Sequence, residues 1–214
     1  MTSINQLEPL MLEFIEREMQ TDAAHDLNHV KRVVATAKQL CDEEQANPQV
    51  VVAAAYLHDC FTYPKDHPER KQSSAIAADK AVAFLEQIDY PPSLLAAVHH
   101  AICAHSFSAG IHPDTLEAKI VQDADRLDSL GAIGVARTIQ VGTALQRPLY
   151  NADDPLCHTR PPNDNRFTLD HFFTKLFAIA DTMNTEAAKA EARKRKAFMQ
   201  LFLDQLQHEA NAHD

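Results

Sequence analysis

Between Asn47-Pro48 and Asp59 the chain reads QVVVAAAYLHD, an eight-residue apolar run that closes on His58-Asp59. A helix that is apolar nearly all round cannot lie on a surface, so this segment predicts a central helix walled in by others. Asn47 is placed to cap it, and Pro48 fits its first turn. The same run carries two polar side chains into or beside the core. Burying an ionised carboxylate without a partner is prohibitively costly, and a metal ion is one of the few partners that removes the cost.

The surrounding pattern predicts the walls. Leu7, Met11, Phe14 and Glu18 recur at helical spacing, and from about His25 to Cys41 the positions Val30, Val33, Val34, Ala37, Leu40 and Cys41 share one face. Helices are also expected over 74–88, 93–105, 114–130 (with Asp114 and Glu117 as a capping box), 132–146, 169–180 and 186–208. Residues 147–166, RPLYNADDPLCHTRPPNDNR, read as a long structureless loop, a length kept for function or disorder. No β-alternation of useful length, internal repeat or dividing linker interrupts the pattern. The expectation is an all-α bundle in one domain over 1–214, with a core at about 20–150 and C-terminal helices at 168–208 packed on it.

Composition narrows the function. A net charge of -10 argues against a nucleic-acid surface, so an anionic substrate would need a local positive focus such as a metal ion. Four glycines leave no glycine-rich phosphate loop, and the four cysteines form no CxxC pair, the usage of a reducing compartment. Neither a membrane span nor a secretory signal is recognisable, which predicts a cytoplasmic protein.

His-Asp occurs at 25–26, 58–59 and 213–214, and context separates the three. Asp26 has a plain capping role at a polar helix start, and 213–214 is a chain end. The pair 58–59 closes the apolar run. His29 sits beside Val30 and Val33, and Asp125 interrupts a helix carrying Ile120, Val121, Leu127 and Leu130. Three helices thus each direct a metal-type ligand inward, a mixed nitrogen and oxygen set that suits Mn, Fe, Co, Ni or Zn better than Ca. Each residue also has a plainer role: His29 as a hydrogen-bonded core histidine, Asp125 as a partner of Arg126 or a turn cap.

HxxxH (His25 to His29), LHD (Leu57 to Asp59) and DADRLDSLGAIG (Asp123 to Gly134) follow one another in an order that resembles the HD-domain phosphohydrolase superfamily. YPKDHPER (Tyr63 to Arg70) and HAICAHSFSAG (His100 to Gly110) add to the likeness. More narrowly, the chain is similar to small stand-alone bacterial members that resemble nucleotide pyrophosphohydrolases, over roughly residues 20–150. The resemblance implies a compact helical bundle with His29, His58, Asp59 and Asp125 as metal ligands, Asp123 being the competitor for the last place. It implies hydrolysis of a phosphoanhydride or phosphoester, by water activated on a divalent ion (Mn, Mg, Co, Ni, Fe or Zn).

Lys65 and Arg70, just after the His-Asp pair, and Arg126 beside a ligand are candidates to absorb charge on the phosphate oxygens. The catalytic set is therefore Asp59, Lys65 and Arg70; the substrate-binding set is His100, His105 and Arg126. Five residues apart, His100 and His105 point about 140° from each other on a regular helix, so they share a site only if the helix ends near His105. They could bind a second metal, contact phosphate or serve as an acid, and a single-metal site with substrate-contacting histidines is preferred. The GYP string of members that cleave cyclic dinucleotides is missing here. Asp66 and Glu69 are the nearby candidates for a general acid. Tyr150, Arg160 and Arg166 could let the 147–166 loop cover a pocket, or the loop could be plain surface.

The substrate expected is a phosphorylated small molecule, a nucleotide, taken up by a monomer or homodimer. Two other readings are a metal- or nucleotide-binding sensor without turnover and a diiron oxygenase-like protein.

Overall fold

Asn47 and Pro48 start the central helix as their chemistry predicts. The Asn47 side chain accepts the Gln49 N–H at 3.0 Å, and Pro48 opens α3 (Pro48–Leu57). In this computed structural model, which describes residues 4–19, 26–64, 67–106 and 109–210, every regular element of the described residues is helical. None of those helices is long and apolar enough to cross a membrane. The chain divides into two compact units, Met1–Asp125 and Arg126–Asp214.

In the first unit α3 is enclosed by α1 (Ile4–Glu18), α2 (Leu27–Glu44), α4 (Ser73–Gln87) and α5 (Pro92–His105). Val50 through Ala55 and Leu57 are buried, as an all-round apolar helix requires. The exception is Tyr56, whose hydroxyl donates to Glu8 on α1 at 2.8 Å. The predicted face of α2 is the buried one. On α1 the buried position after Phe14 is Ile15, while Glu18 stays at the edge, ion-paired with Lys80 at 2.9 Å.

α6 (Leu116–Asp128) begins one residue away from its expected cap. Thr115 Oγ1 accepts the Ala118 N–H at 3.1 Å, so the threonine is the cap. The expected capping box does not form. Asp114 pairs with His112 at 2.9 Å, and Glu117 accepts the Asn47 N–H at 3.2 Å, tying the start of α6 to the start of α3.

The second unit holds α7 (Gly131–Ala144), α8 (Phe177–Ala180) and α9 (Glu186–Ala210), with α9 packed on α7 and α8. The helix expected over 169–180 is interrupted. Residues Phe172–Leu176 form a π turn, in which the Phe177 N–H reaches back five residues to Phe172 O. Gly142 of α7 lies so close to Thr168 that a Cβ there would stand 2.2 Å from its Oγ1.

The segment 147–166 is an ordered strap. Thr168 and Leu169 donate their N–H groups to Pro148 O and Leu149 O at 3.0 and 2.9 Å, closing its base. Inside it, Asp154 accepts the N–H groups of His158, Thr159 and Arg160 and the Thr159 hydroxyl, at 2.7–3.2 Å. Arg160 then forks onto fully buried Asp170 at 2.5 and 2.7 Å, and Asp170 also accepts the Asn163 N–H at 2.6 Å. Carboxylates gathering several donors replace regular secondary structure as the source of order. The sequence shows polar residues there but not which of them meet.

Candidate metal centre

Four helices of the first unit each bring one end to a shared point. His29 lies in the first turn of α2, where its N–H is held by the N-cap Asp26 at 2.7 Å. His58 and Asp59 follow the last residue of α3, His105 is the last residue of α5, and Asp125 lies on α6. Helix ends serve well here, because the chain can aim a side chain past the end of the apolar stripe while the stripe stays buried.

The three imidazoles are buried, with ring centroids 5.5 Å apart for His29 and His58 and 4.9 Å apart for His58 and His105. His58 Nδ1 lies 2.8 Å from Ala55 O and His105 Nδ1 lies 2.6 Å from Ile102 O. A carbonyl can only accept, so both rings carry a proton on Nδ1 and turn Nε2 inward. The buried Nε2 of His58 has no hydrogen-bond partner at all.

The carboxylates stand just beyond hydrogen-bond length. His29 Nε2 is 3.6 Å from Asp59 Oδ2 and 3.5 Å from Asp125 Oδ1, His58 Nε2 is 3.5 Å from Asp59 Oδ2, and His105 Nε2 is 3.7 Å from Asp59 Oδ1. Such spacings are long for a hydrogen bond. They do suit the edges of a coordination shell, since ligands about 2.0–2.2 Å from one centre stand roughly 3.0–3.6 Å from each other. Among the described residues two overlapping groups emerge, His29/His58/Asp125 and His58/Asp59/His105, each with its ligand atoms within 4.8 Å of one another.

The electrostatics agree with that use. Burial pushes His58 below the usual histidine range, which keeps its lone pair available. Burial alone would raise the Asp59 carboxyl, but the imidazoles of His58, His105 and His29 outweigh it and hold Asp59 well below the usual carboxylate range. For His105 burial acts downward and the facing Asp59 carboxylate more than reverses it. Asp125 keeps 29% of its side chain exposed, so water reaches the centre on that side. An orphaned buried imidazole nitrogen, an ionised carboxylate and a mixed nitrogen and oxygen donor set fit a divalent transition ion.

The other sequence candidates fall elsewhere. Lys65 and Asp66 lie outside the described residues. Arg70 donates through Nη1 to Tyr63 O at 2.8 Å, bracing the loop that follows Asp59. His100 Nε2 accepts the Asp114 N–H at 3.0 Å, so it ties α5 to the approach of α6 and belongs to neither ligand-type group. α5 ends at His105, the condition for the two histidines to share a site, yet only His105 faces the cluster. Arg126 donates through Nη1 to Thr182 O and Oγ1 at 2.9 and 3.1 Å, and Arg160 is committed to Asp170. Asp123 is fully buried but lies outside the group that Asp125 joins, as two residues on a helix turn about 200° apart.

Sequence reasoning did not single out Ser74 and Gln122, whose side chains donate to the carbonyls of Cys103 and Ala104, the two residues before His105. The one available signal was that Gln122 precedes Asp125 by three residues and so shares its helix face.

Comparison with known proteins gives concordant matches. The HD domain family profile matches residues 26–130. The Bacillus subtilis protein YpgQ is 33% identical over 192 residues, covering 86% of this chain and 84% of that one. Among solved structures, an HD-superfamily hydrolase from Bacillus thuringiensis superposes with a TM-score of 0.77 at 33% identity, covering 98% of this chain and 100% of that one. B. subtilis YpgQ in complex with ADP superposes with a TM-score of 0.73 at 27% identity, covering 95% of each chain.

Proposed function

The chain belongs to the HD domain family and has the fold of HD-superfamily hydrolases, and from that premise we propose that it is a metal-dependent hydrolase of nucleoside triphosphates. The observation that carries the reading is the convergence of His29, His58, Asp59 and Asp125, with His105 facing Asp59, around an imidazole nitrogen that has no protein partner. ADP in the binding repertoire of a relative supports a nucleotide as substrate.

In this reading His29, His58, Asp59 and Asp125 hold the divalent ion. When bound, that ion supplies a lower pKa for water and a Lewis-acid contact for a phosphoryl oxygen. The chain's own residues do the rest. Asp59 stays ionised and balances positive charge at the centre. His58 and His105 keep their Nε2 atoms turned inward through their Nδ1–H bonds to the backbone. His105 lies beside the reacting phosphate, and Lys65, together with the guanidinium donors of Arg70 that Tyr63 O does not engage, neutralises the remaining phosphate oxygens from the stretch after Asp59. Attack of water at the α-phosphorus breaks one P–O bond and gives a nucleoside monophosphate and pyrophosphate.

The test is a screen of the metal-stripped protein against nucleoside tri-, di- and monophosphates and cyclic nucleotides. Each would be tried with Mn, Mg, Co, Ni and Zn beside Asp59→Ala. Metal-restored release of pyrophosphate from triphosphates, absent in the variant, is the expected result. Tight metal binding without turnover of any phosphate compound would overturn it.

A further inference from the structure

His105 is the last residue of α5, and the chain leaves the helix at Ser106, where ψ is 122°. The final carbonyls of a helix lose their usual N–H partners when the chain turns away, and a buried helix end must find others. Here three of them are met by side chains. Ile102 O accepts from His105 Nδ1 at 2.6 Å, Cys103 O from Ser74 Oγ at 3.1 Å, and Ala104 O from Gln122 Nε2 at 2.6 Å. Ser74 and Gln122 are buried, 2% and 4% exposed, and come from different helices, α4 and α6.

Resting on the metal-centre reading above, we propose that Gln122, seconded by Ser74, is a positioning residue for His105. It fixes the end of α5 so that the Nδ1–H of His105 stays on Ile102 O and Nε2 stays turned to Asp59. Gln122 also lies one helical turn before Asp125, so a single rigid segment of α6 delivers Asp125 and sets the position of His105. The two overlapping ligand-type groups are thereby held at a fixed spacing. Outer partners of a metal-ligating imidazole commonly change metal affinity 10- to 100-fold when removed, and His105 acts on the ion through the ligand Asp59 that it faces at 3.7 Å, which puts its effect at the lower end of that range.

The experiment compares Gln122→Met and Ser74→Ala with Tyr90→Phe. That last change removes another side-chain bond to a backbone carbonyl, the part-buried one from Tyr90 OH to Gln49 O at 2.6 Å, at the opposite end of α3. Nitrogen NMR of the metal-free proteins reads the His105 tautomer, calorimetric titration with Mn reads affinity, and thermal unfolding reads stability. We expect all three variants to lose Tm. Only Gln122→Met, and more weakly Ser74→Ala, should mix the His105 tautomers, with Mn affinity falling about tenfold. If Gln122→Met lowers Tm as Tyr90→Phe does but leaves tautomer and Mn affinity at wild-type values, the role is structural and the proposal is overturned. Should the wild-type protein bind no divalent ion, the metal-centre reading fails separately, while the tautomer comparison still decides the role of Gln122. Should Gln122→Met not fold, Ser74→Ala decides it by the same two readouts.

Discussion

The histidine and aspartate cluster of the first unit and, in the second, the strap 147–166 with Asp170 on which it closes both bring ionisable groups out of water, and they do so in opposite ways. In the strap every buried acid is answered by the protein. Asp154 has four donors, and Asp170 has the fork of Arg160 and a backbone N–H. In the cluster the carboxylates stand 3.5–3.7 Å from the imidazoles, and His58 Nε2 has nothing to bond. A network whose needs are met internally stabilises its own segment. One left with convergent lone pairs is built for something that comes from outside.

The sharpest way to break that comparison is to remove His58 or Asp59. For Asp59→Asn we expect Mn affinity to fall by more than about 100-fold, beyond the loss usual for an outer partner, and hydrolysis to vanish. Metal-free His58→Ala loses the bond to Ala55 O and leaves a cavity but also sheds an unsatisfied buried nitrogen, so its loss of stability should be small beside its loss of affinity. Calorimetric titration and denaturant unfolding check the pair. A large stability loss without a change in affinity would make the cluster a second strap.

Arg160→Met tests the other side. Leaving Asp170 buried without its partner should cost about 3 kcal/mol, the bottom of the range for a broken buried pair since Arg160 keeps 19% of its side chain in water. Mn affinity should not move. At the base of the strap, Gly142→Ala drives a Cβ against Thr168 and should cost about 1–2 kcal/mol in urea unfolding, again with affinity unchanged.

The smallest effect is one of acid. The backbone and hydroxyl donors around Asp154, the Thr159 N–H foremost, hold its carboxyl down at about 2, against an ordinary 3.8. A lowered folded-state pKa means that the unfolded chain binds the proton more readily, so this contribution is whole above about pH 4 and is lost as pH falls toward 2. Asp154→Asn should flatten that part of the stability profile, read as Tm against pH.

How much of this could be read beforehand varies with the range of the interaction. The all-round apolar run made α3 the centre of the bundle, and the residues that end it mark the site. The convergence of His29 and Asp125 was legible because local periodicity puts each on the inner side of its own helix, and that of Asp59 because it directly follows the apolar run. His105 was assigned to substrate together with His100, and the structure parts them: one meets Asp59, the other the backbone of Asp114. Thr115 displaced Asp114 as a cap because Glu117, the other half of the expected box, is drawn to Asn47 across the fold.

By itself, then, the sequence determined the all-helical architecture, the burial of α3 and the ligand-type side chains that accompany it, since helical period and apolar pattern act within a few turns of chain. Only the tertiary structure decided that His105 joins the cluster, that Ser74 and Gln122 hold the end of α5, and that the 147–166 segment is ordered. Those outcomes depend on hydrogen bonds between groups 10 to 29 residues apart in the chain, and such a bond exists only once folding has brought its two ends together.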